Sequence, residues 1–430
     1  MKSHKKYPKY KNSGIKWLGE IPEHWEVKRL KYCVELRNDK ADGRNTDLLF
    51  LGLENIESWT GKQTITNDVS SSEGQVNRFF VGDILFGKLR PYLAKVLRTS
   101  FQGTCTGELL VLKPKSIIQD ILFYNLLTRD FIGIVDSSTY GVKMPRANWE
   151  FIGNLPLPLP KENEQKAIAE FLDRETGKID ALIEKKEKQI ELLTEERAAV
   201  ISHAVTKGIN PNAKMKSSGI PWFGDIPEHW EVRRLKYIAS INDDTLNEST
   251  YPDYEILYVD ISSVDSVLGI LKKEEMSFEN APSRARRKVR NGDIIISTVR
   301  TYLRAIAPII NPEPNLIVST GFAVIHPKNE FQEDFASYTL RSPYFVETIV
   351  ARSVGVSYPA VNASGIADLK LAIPPLNEQE AIGAFLRKQL AKIDALATEI
   401  RKSISVLQEY RTVIISASVT GKIDVRKISI

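Results

Sequence analysis

Apolar residues recur at helical spacing through residues 163–209, NEQKAIAEFLDRETGKIDALIEKKEKQIELLTEERAAVISHAVTKGI, at Ile168, Leu172, Ile179, Leu182/Ile183, Ile190, Leu193 and Val200/Ile201. Charged side chains fill the other faces, so a single narrow stripe wants burial, the pattern of a coiled-coil seam. The run has no proline, and its one internal glycine, Gly177, sits among strong helix formers. Pro158 and Pro160 bar a helix before it, and Gly208 with Pro211 ends it. The pattern predicts one helix of roughly 60 Å at ~1.5 Å per residue. Such a helix needs a partner.

The same seam returns in 377–423, NEQEAIGAFLRKQLAKIDALATEIRKSISVLQEYRTVIISASVTGKI. The displacement between the two copies is constant, and it carries Leu172 onto Leu386, Ile179 onto Ile393, Leu193 onto Leu407 and Val205-Thr206 onto Val419-Thr420. Leu172, Ile179, Leu193, Leu386, Ile393 and Leu407 are therefore the expected interface between two long helices packed on each other.

A second repeat precedes each helix. SGIKWLGEIPEHWEVKRLKY at 13–32 and SGIPWFGDIPEHWEVRRLKY at 218–237 are identical at 16 of 20 positions, so the chain is a tandem of two halves. Between lead segment and helix the halves diverge but still align: Gly82-Asp83-Ile84, Arg90, Tyr92 and Leu93 match Gly292-Asp293-Ile294, Arg300, Tyr302 and Leu303. Gly141, Pro145 and Asn148 match Gly355, Pro359 and Asn362. Short β-branched or apolar runs at 48–53, 83–87, 108–114, 255–261, 293–299 and 322–327 read as strands. Residues 118–135 and 331–350 read as one helix each.

The expected fold class is α+β: two mixed α/β domains in tandem, separated by two long antiparallel coiled-coil helices with pseudo-two-fold symmetry. The expected boundaries are a lead segment at 1–32, a first domain at 33–160 and a first spacer helix at 161–209. A repeated lead follows at 210–237, then a second domain at 238–375 and a second spacer helix at 376–424. The ends of each half are near-identical and the globular middles vary, so one frame presents two different surfaces.

Composition adds bounds. Hydrophobic residues make up 42% and charged residues 26% of the 430, ordinary values for a globular protein. Two cysteines, Cys33 and Cys105, supply neither a disulfide framework nor a zinc cluster and point to a reducing compartment. The polar, lysine-rich N-terminus has no apolar core of a secretory signal, and no apolar run approaches the length that spans a bilayer. A cytoplasmic protein away from membranes is expected. Net charge is +5, which permits nucleic-acid binding without demanding it.

The chemistry is sparse. Gly82-Asp-Ile-Leu-Phe-Gly87-Lys88 looks like a phosphate loop until Leu89, where a metal-holding Ser or Thr is required, and 292–299 lacks the second Gly and the Lys. His24 and His229 lie beside Trp25 and Trp230 in the repeated IPEHWE and read as packing groups; no metal site and no catalytic constellation is expected. Basic residues are more telling. Residues 283–304 carry Arg284, Arg286, Arg287, Arg300 and Arg304 with Tyr302, and 78–98 carry Arg78, Lys88 and Arg90 with Tyr92. Guanidinium groups suit phosphates and the O6/N7 edge of guanine. A second pair of loops, 137–148 with Lys143, Arg146 and Asn148, and 352–362 with Tyr358 and Asn362, admits either base contact or plain turn chemistry.

The doubled IPEHWE-x-x-RLKY segment, the GDI…R-x-Y-L run, the proline exit before NEQ-x-AI-x-x-FL and the VTKGI/VTGKI tail together resemble the specificity subunit of type I restriction-modification systems, over essentially the whole chain. The resemblance implies two target-recognition domains, each reading one half of a split double-stranded DNA sequence, with the helices as a ruler. It also implies a non-catalytic chain that docks two modification subunits and, in the full complex, two restriction subunits. S-adenosylmethionine, ATP and Mg would be held by those partners and no cofactor by this chain. No base contact carries over from the family, so the arginine and loop residues rest on their own pattern. A ~60 Å helix along a duplex limits the gap to ~18 base pairs. The competing readings are a nuclease or methylase in its own right, a coiled-coil scaffold that binds only protein, and a specificity protein serving methylation alone.

Overall fold

The computed structural model describes residues 5–43, 48–64, 74–141, 143–220, 223–355 and 359–426. The chain divides into two compact units, Met1–Glu187 with Arg401–Ile430, and Lys188–Ile400. Each long helix therefore begins in one unit and ends in the other.

The first unit is built on strands β1 (Val34–Leu36), β2 (Ile84–Gly87), β3 (Val96–Arg98) and β4 (Leu109–Pro114), an antiparallel sheet in the order β1-β4-β2-β3. Its strands are apolar at consecutive positions because both faces are covered. Ile84, Phe86, Val96, Leu110 and Leu112 face one core, with the helices; Leu85, Leu97, Leu109 and Val111 face another, with a second sheet. The second unit repeats the plan in β5 (Ala239–Ile241), β6 (Ile294–Ser297), β7 (Ile306–Pro308) and β8 (Phe322–Pro327), ordered β5-β8-β6-β7. Ile294, Ile296 and Ile325 turn to the helical core, and Ile295, Ala307 and Val324 to the other.

The second sheets diverge at their edges. Each has a strand paired in parallel on one side and antiparallel on the other: Gly103–Cys105 between Phe50–Leu51 and Gln75–Phe79, and Leu316–Ser319 between Glu255–Val259 and Ala285–Lys288. The fourth strand joins opposite edges, Lys40–Asp42 on 75–79 in the first unit and Glu274–Ser277 on 255–259 in the second. The apolar run 48–53 yields only the short strand Phe50–Leu51.

Residues 118–135 and 331–350 do not form one helix each. The first splits into Gln119–Leu126 and Arg129–Ser137, the second into Glu333–Leu340 and Pro343–Arg352. Thr128 and Ser342 cap the second helix of each pair by accepting from the Phe131 and Phe345 amides, and Pro343 sits where its missing N–H is harmless.

The shared motifs fasten each unit. Trp25 and Trp230 are fully buried beside the NEQ starts of the long helices. His24 Nε2 pairs with Glu164 at 2.8 Å and His229 Nε2 with Glu378 at 2.6 Å, and Trp230 Nε1 donates to the same carboxylate. Gln165 accepts from the Ile118 amide and donates to the Pro160 carbonyl; Gln379 accepts from Gln332 and donates to Pro374 and Glu330. The exit LPLPLP becomes a strand, Pro156–Leu159, against Glu26–Arg29. Proline at every second position leaves the alternate residues able to donate, which a two-stranded pair tolerates.

The first long helix runs Glu162–Lys207 and the second Leu376–Val419, about 69 and 66 Å at 1.5 Å per residue. They are antiparallel. In the first unit the start of one helix and the end of the other meet at the lead segment, where Lys422 Nζ donates to the Glu20 carbonyl and Glu164 holds His24. Farther in, Arg411 Nε donates to Asp180 at 2.9 Å. In the second unit the matching Arg197 donates to Asp394 at 3.2 Å. The residue numbers of both pairs sum to 591, so the register is the same in each. Leu172 and Leu386 are fully buried and Ile179 nearly so; Leu193, Ile393 and Leu407 are half-buried, and Leu182 faces solvent.

Candidate nucleic-acid interface

Strand β2 leaves Gly87 through Lys88-Leu89-Arg90 into one turn of 3-10 helix, Pro91–Leu93. Arg90 and Ala94 flank it at φ +49° and +47°, both left-handed. In the second unit β6 leads through Thr298-Val299-Arg300 into Thr301–Leu303, with Arg300 and Arg304 at φ +50° and +52°. A left-handed non-glycine residue costs roughly 1–2 kcal/mol. Two at matched places in each unit imply that neighbouring bonds enforce the turn.

Those bonds come from the second pair of candidate loops. The Arg90 amide donates to the Pro145 carbonyl and the Arg300 amide to the Pro359 carbonyl, both at 2.8 Å. Ala147 returns a bond to the Lys88 carbonyl at 2.9 Å, and Val361 to Thr298 at 2.8 Å. Leu89 pairs with Arg146 and Val299 with Ala360 as single β-bridges. The arginine turn and the glycine-asparagine loop, separate in sequence, form one edge in each unit. Tyr92 and Tyr302 project from it, 47% and 54% exposed. Arg90 and Arg300 are exposed beside them.

The edges differ in side chains. In the first unit Arg146 grips Glu108 through three hydrogen bonds of 3.0–3.2 Å. The residues at the equivalent places of the second half are Ala360 and Phe322. Lys88 corresponds to Thr298, whose Oγ1 donates to the Gly321 carbonyl at 2.9 Å.

A family model described as the type I restriction modification DNA specificity domain matches residues 22–192 and 227–405. The chain belongs to this family. It is 25% identical over 445 residues to the MjaVIII type I restriction enzyme specificity subunit of Methanocaldococcus jannaschii, covering 98% of each chain. It is 31% identical over 196 residues to the EcoDI specificity subunit of Escherichia coli, covering 43% of this chain and 42% of that one. A solved structure from work on complex assembly and conformational transition of the type I R-M system has the same fold, with a TM-score of 0.65 at 18% identity, covering 93% of this chain and 98% of that chain.

Within this type I specificity fold, the remaining basic residues are tethered to varying degrees. Arg284 pairs with Asp260 at 3.2 Å, Arg286 lies 4.4 Å over the Phe278 ring, and Arg304 pairs with Glu347. Arg287 is half-buried, its Nε without a hydrogen-bond partner, and burial lowers its pKa. The Thr320 amide bonds the Arg284 carbonyl and the Thr298 amide the Gly321 carbonyl, linking the arginine strand to the turn. Arg78 lies exposed on the other sheet, opposite Thr104. Lys143 and Asn148 are exposed, but Asn148 caps Trp149–Ile152 through the Phe151 amide. Asn362 stands at the N-cap of Ala363–Ala367 without a side-chain cap bond, and Tyr358 lies outside the described residues. The acids that aim these arginines, Glu108, Asp260 and Glu347, carry no signal of their own in sequence. Among the described residues no group of three His, Cys, Asp or Glu is placed to hold a metal, and no helix is long and apolar enough to cross a membrane.

Proposed function

We propose that this chain reads an asymmetric, two-part sequence in double-stranded DNA and directs methylation, and in the full complex restriction, by partner subunits. The observation that carries the reading is the recurrence of the strained arginine turn, bonded to its second loop, with different side chains around it. A repeated backbone edge with exposed Arg and Tyr suits a groove, and changed neighbours suit a changed sequence. Arg90, Tyr92, Lys143 and Asn148 would serve one half-site with Lys88, Arg146 and Arg78. Arg300, Tyr302, Arg284 and Asn362 would serve the other, with Arg286, Arg287, Arg304 and Tyr358. The helix pair would set the gap.

Docking of two modification subunits, and of two restriction subunits in the full assembly, is supported by a repeated apolar feature. Leu182 and Leu396, and Leu192 and Val406, occupy equivalent places of the two long helices and are all exposed. S-adenosylmethionine, ATP and Mg belong to those partners in this reading. The test is to exchange residues 238–375 for those of a relative with another target. One half of the methylated sequence should change while the other half and the gap persist; a change in both halves overturns the modular reading.

A further inference from the structure

The second unit contains a cavity of about 520 Å³ beside the second long helix, lined by Arg341, Tyr338, Arg197 and Leu390. Three of its cations have carboxylate partners: Arg197 with Asp394, Arg387 with Asp334 and Lys273 with Glu313. Arg341 has none among the described residues. Its Nε is buried without a hydrogen-bond partner, and its guanidinium lies 5.8 Å from the Tyr338 ring. A guanidinium stays protonated in proteins, so holding one half-buried, with no hydrogen-bonded acid and beside the like charge of Arg197, is costly. Burial first and Arg197 second lower its pKa, with Tyr338 and Asp394 opposing them.

In the first unit the cavity beside Asp180 and Arg411, the counterparts of Asp394 and Arg197, is also open, at about 750 Å³, but the place of Arg341 itself differs. In the alignment of the halves Leu127 stands for Arg341, Asp173 for Arg387, Tyr124 for Tyr338 and Arg98 for Pro308. The Arg98 guanidinium lies over the Phe123 and Tyr124 rings and bonds Asp120 and Asp173 at 2.7 and 2.8 Å. At this place the first unit pairs its arginine with two acids, whereas Arg341 of the second has no hydrogen-bonded acid and its Nε has no partner. The mouth carries aliphatic side chains in water, Leu268 at 75% and Ile310 at 72% exposure.

We propose that this cavity binds an organic monoanion, a carboxylate with an aliphatic portion, its head on Arg341 and Arg197 and its chain along Leu390, Leu268 and Ile310. One unpaired charge calls for a single anionic group, and aliphatic walls disfavour a fully hydrated ion such as inorganic phosphate. The same chemistry is offered by a free small acid and by an acidic side chain with aliphatic neighbours on a polypeptide.

Calorimetric titration of the full chain at constant ionic strength tests this, with sodium hexanoate, sodium acetate, inorganic phosphate and the tripeptide acetyl-Leu-Glu-Leu-amide as probes. Saturable binding of hexanoate or of the tripeptide is expected, at least tenfold tighter than acetate or phosphate. The arm that binds identifies the source. Arg341→Met should abolish it and, by removing a half-buried charge without a hydrogen-bonded acid, raise the melting temperature of the unliganded chain. Leu268→Asp, on the exposed rim, should weaken binding at least tenfold without touching Arg341. Absence of saturable binding in both arms, or binding unchanged in both variants, overturns the proposal.

Discussion

Arg90 and Arg300 combine two properties that pull in opposite directions: an exposed arginine side chain and a backbone held left-handed at φ +49° and +50°. Glycine accepts that conformation without cost, so Arg90→Gly or Arg300→Gly should relieve roughly 1 kcal/mol of strain and raise the melting temperature by about 2–4 °C. If the arginines read bases, the same variants should lose about ten- to hundredfold in retention of the target duplex. Stability up and binding down from one substitution is the outcome expected; unchanged retention in both variants removes these residues from the interface. The cysteines make a simpler case. Both are buried, and burial pushes the Cys105 thiol up to about 12 and raises that of Cys33. Since the thiolate is the nucleophile, neither should react with iodoacetamide at pH 8 in the folded chain, and both should react once it is unfolded. Rapid labelling of the native protein would contradict the burial.

Among the elements, the reciprocal Arg–Asp pairs of the long helices have equal positions but unequal surroundings. Arg411 is nearly buried, bonding Asp180 and also the Trp59 and Thr60 carbonyls at 3.2 and 3.4 Å. Arg197 bonds Asp394, which is half exposed. Arg411→Ala strands three half-buried acceptors and should cost about 2–3 kcal/mol, whereas Arg197→Ala should cost about 0–1 kcal/mol. Thermal melts of the two variants check this, and equal losses would mean the Arg411 network is not formed. These helices were the most legible part of the sequence, because a long, uninterrupted stripe that occurs twice leaves one solution. The helix breaks at Thr128 and Ser342 were hidden by apolar residues that keep their spacing across the junction, although Ser342-Pro343 is a start signal. The candidate edge was legible only in pieces. Its two loops lie far apart in sequence, and a left-handed arginine gives no sign of itself, as a glycine there would. The Arg341 cavity depends on what is missing beside it, which no linear pattern records.

For the molecule as a whole, a repeated frame with unlike edges predicts a target with unlike halves. The divergent fourth strands and the replacement of Arg146 and Glu108 by Ala360 and Phe322 are where that difference is built. Inserting one heptad into the first long helix should lengthen the gap between halves or abolish methylation, and an unchanged gap would remove the helices from the ruler role. Whether this chain supplies the sequence choice for partner enzymes is decided by single-molecule methylome sequencing of a host carrying it with its adjacent methylase gene, against deletion of this chain alone. Deletion should remove methyladenine at one split, asymmetric motif; a methylated motif that persists unchanged would mean that the sequence choice lies in another chain.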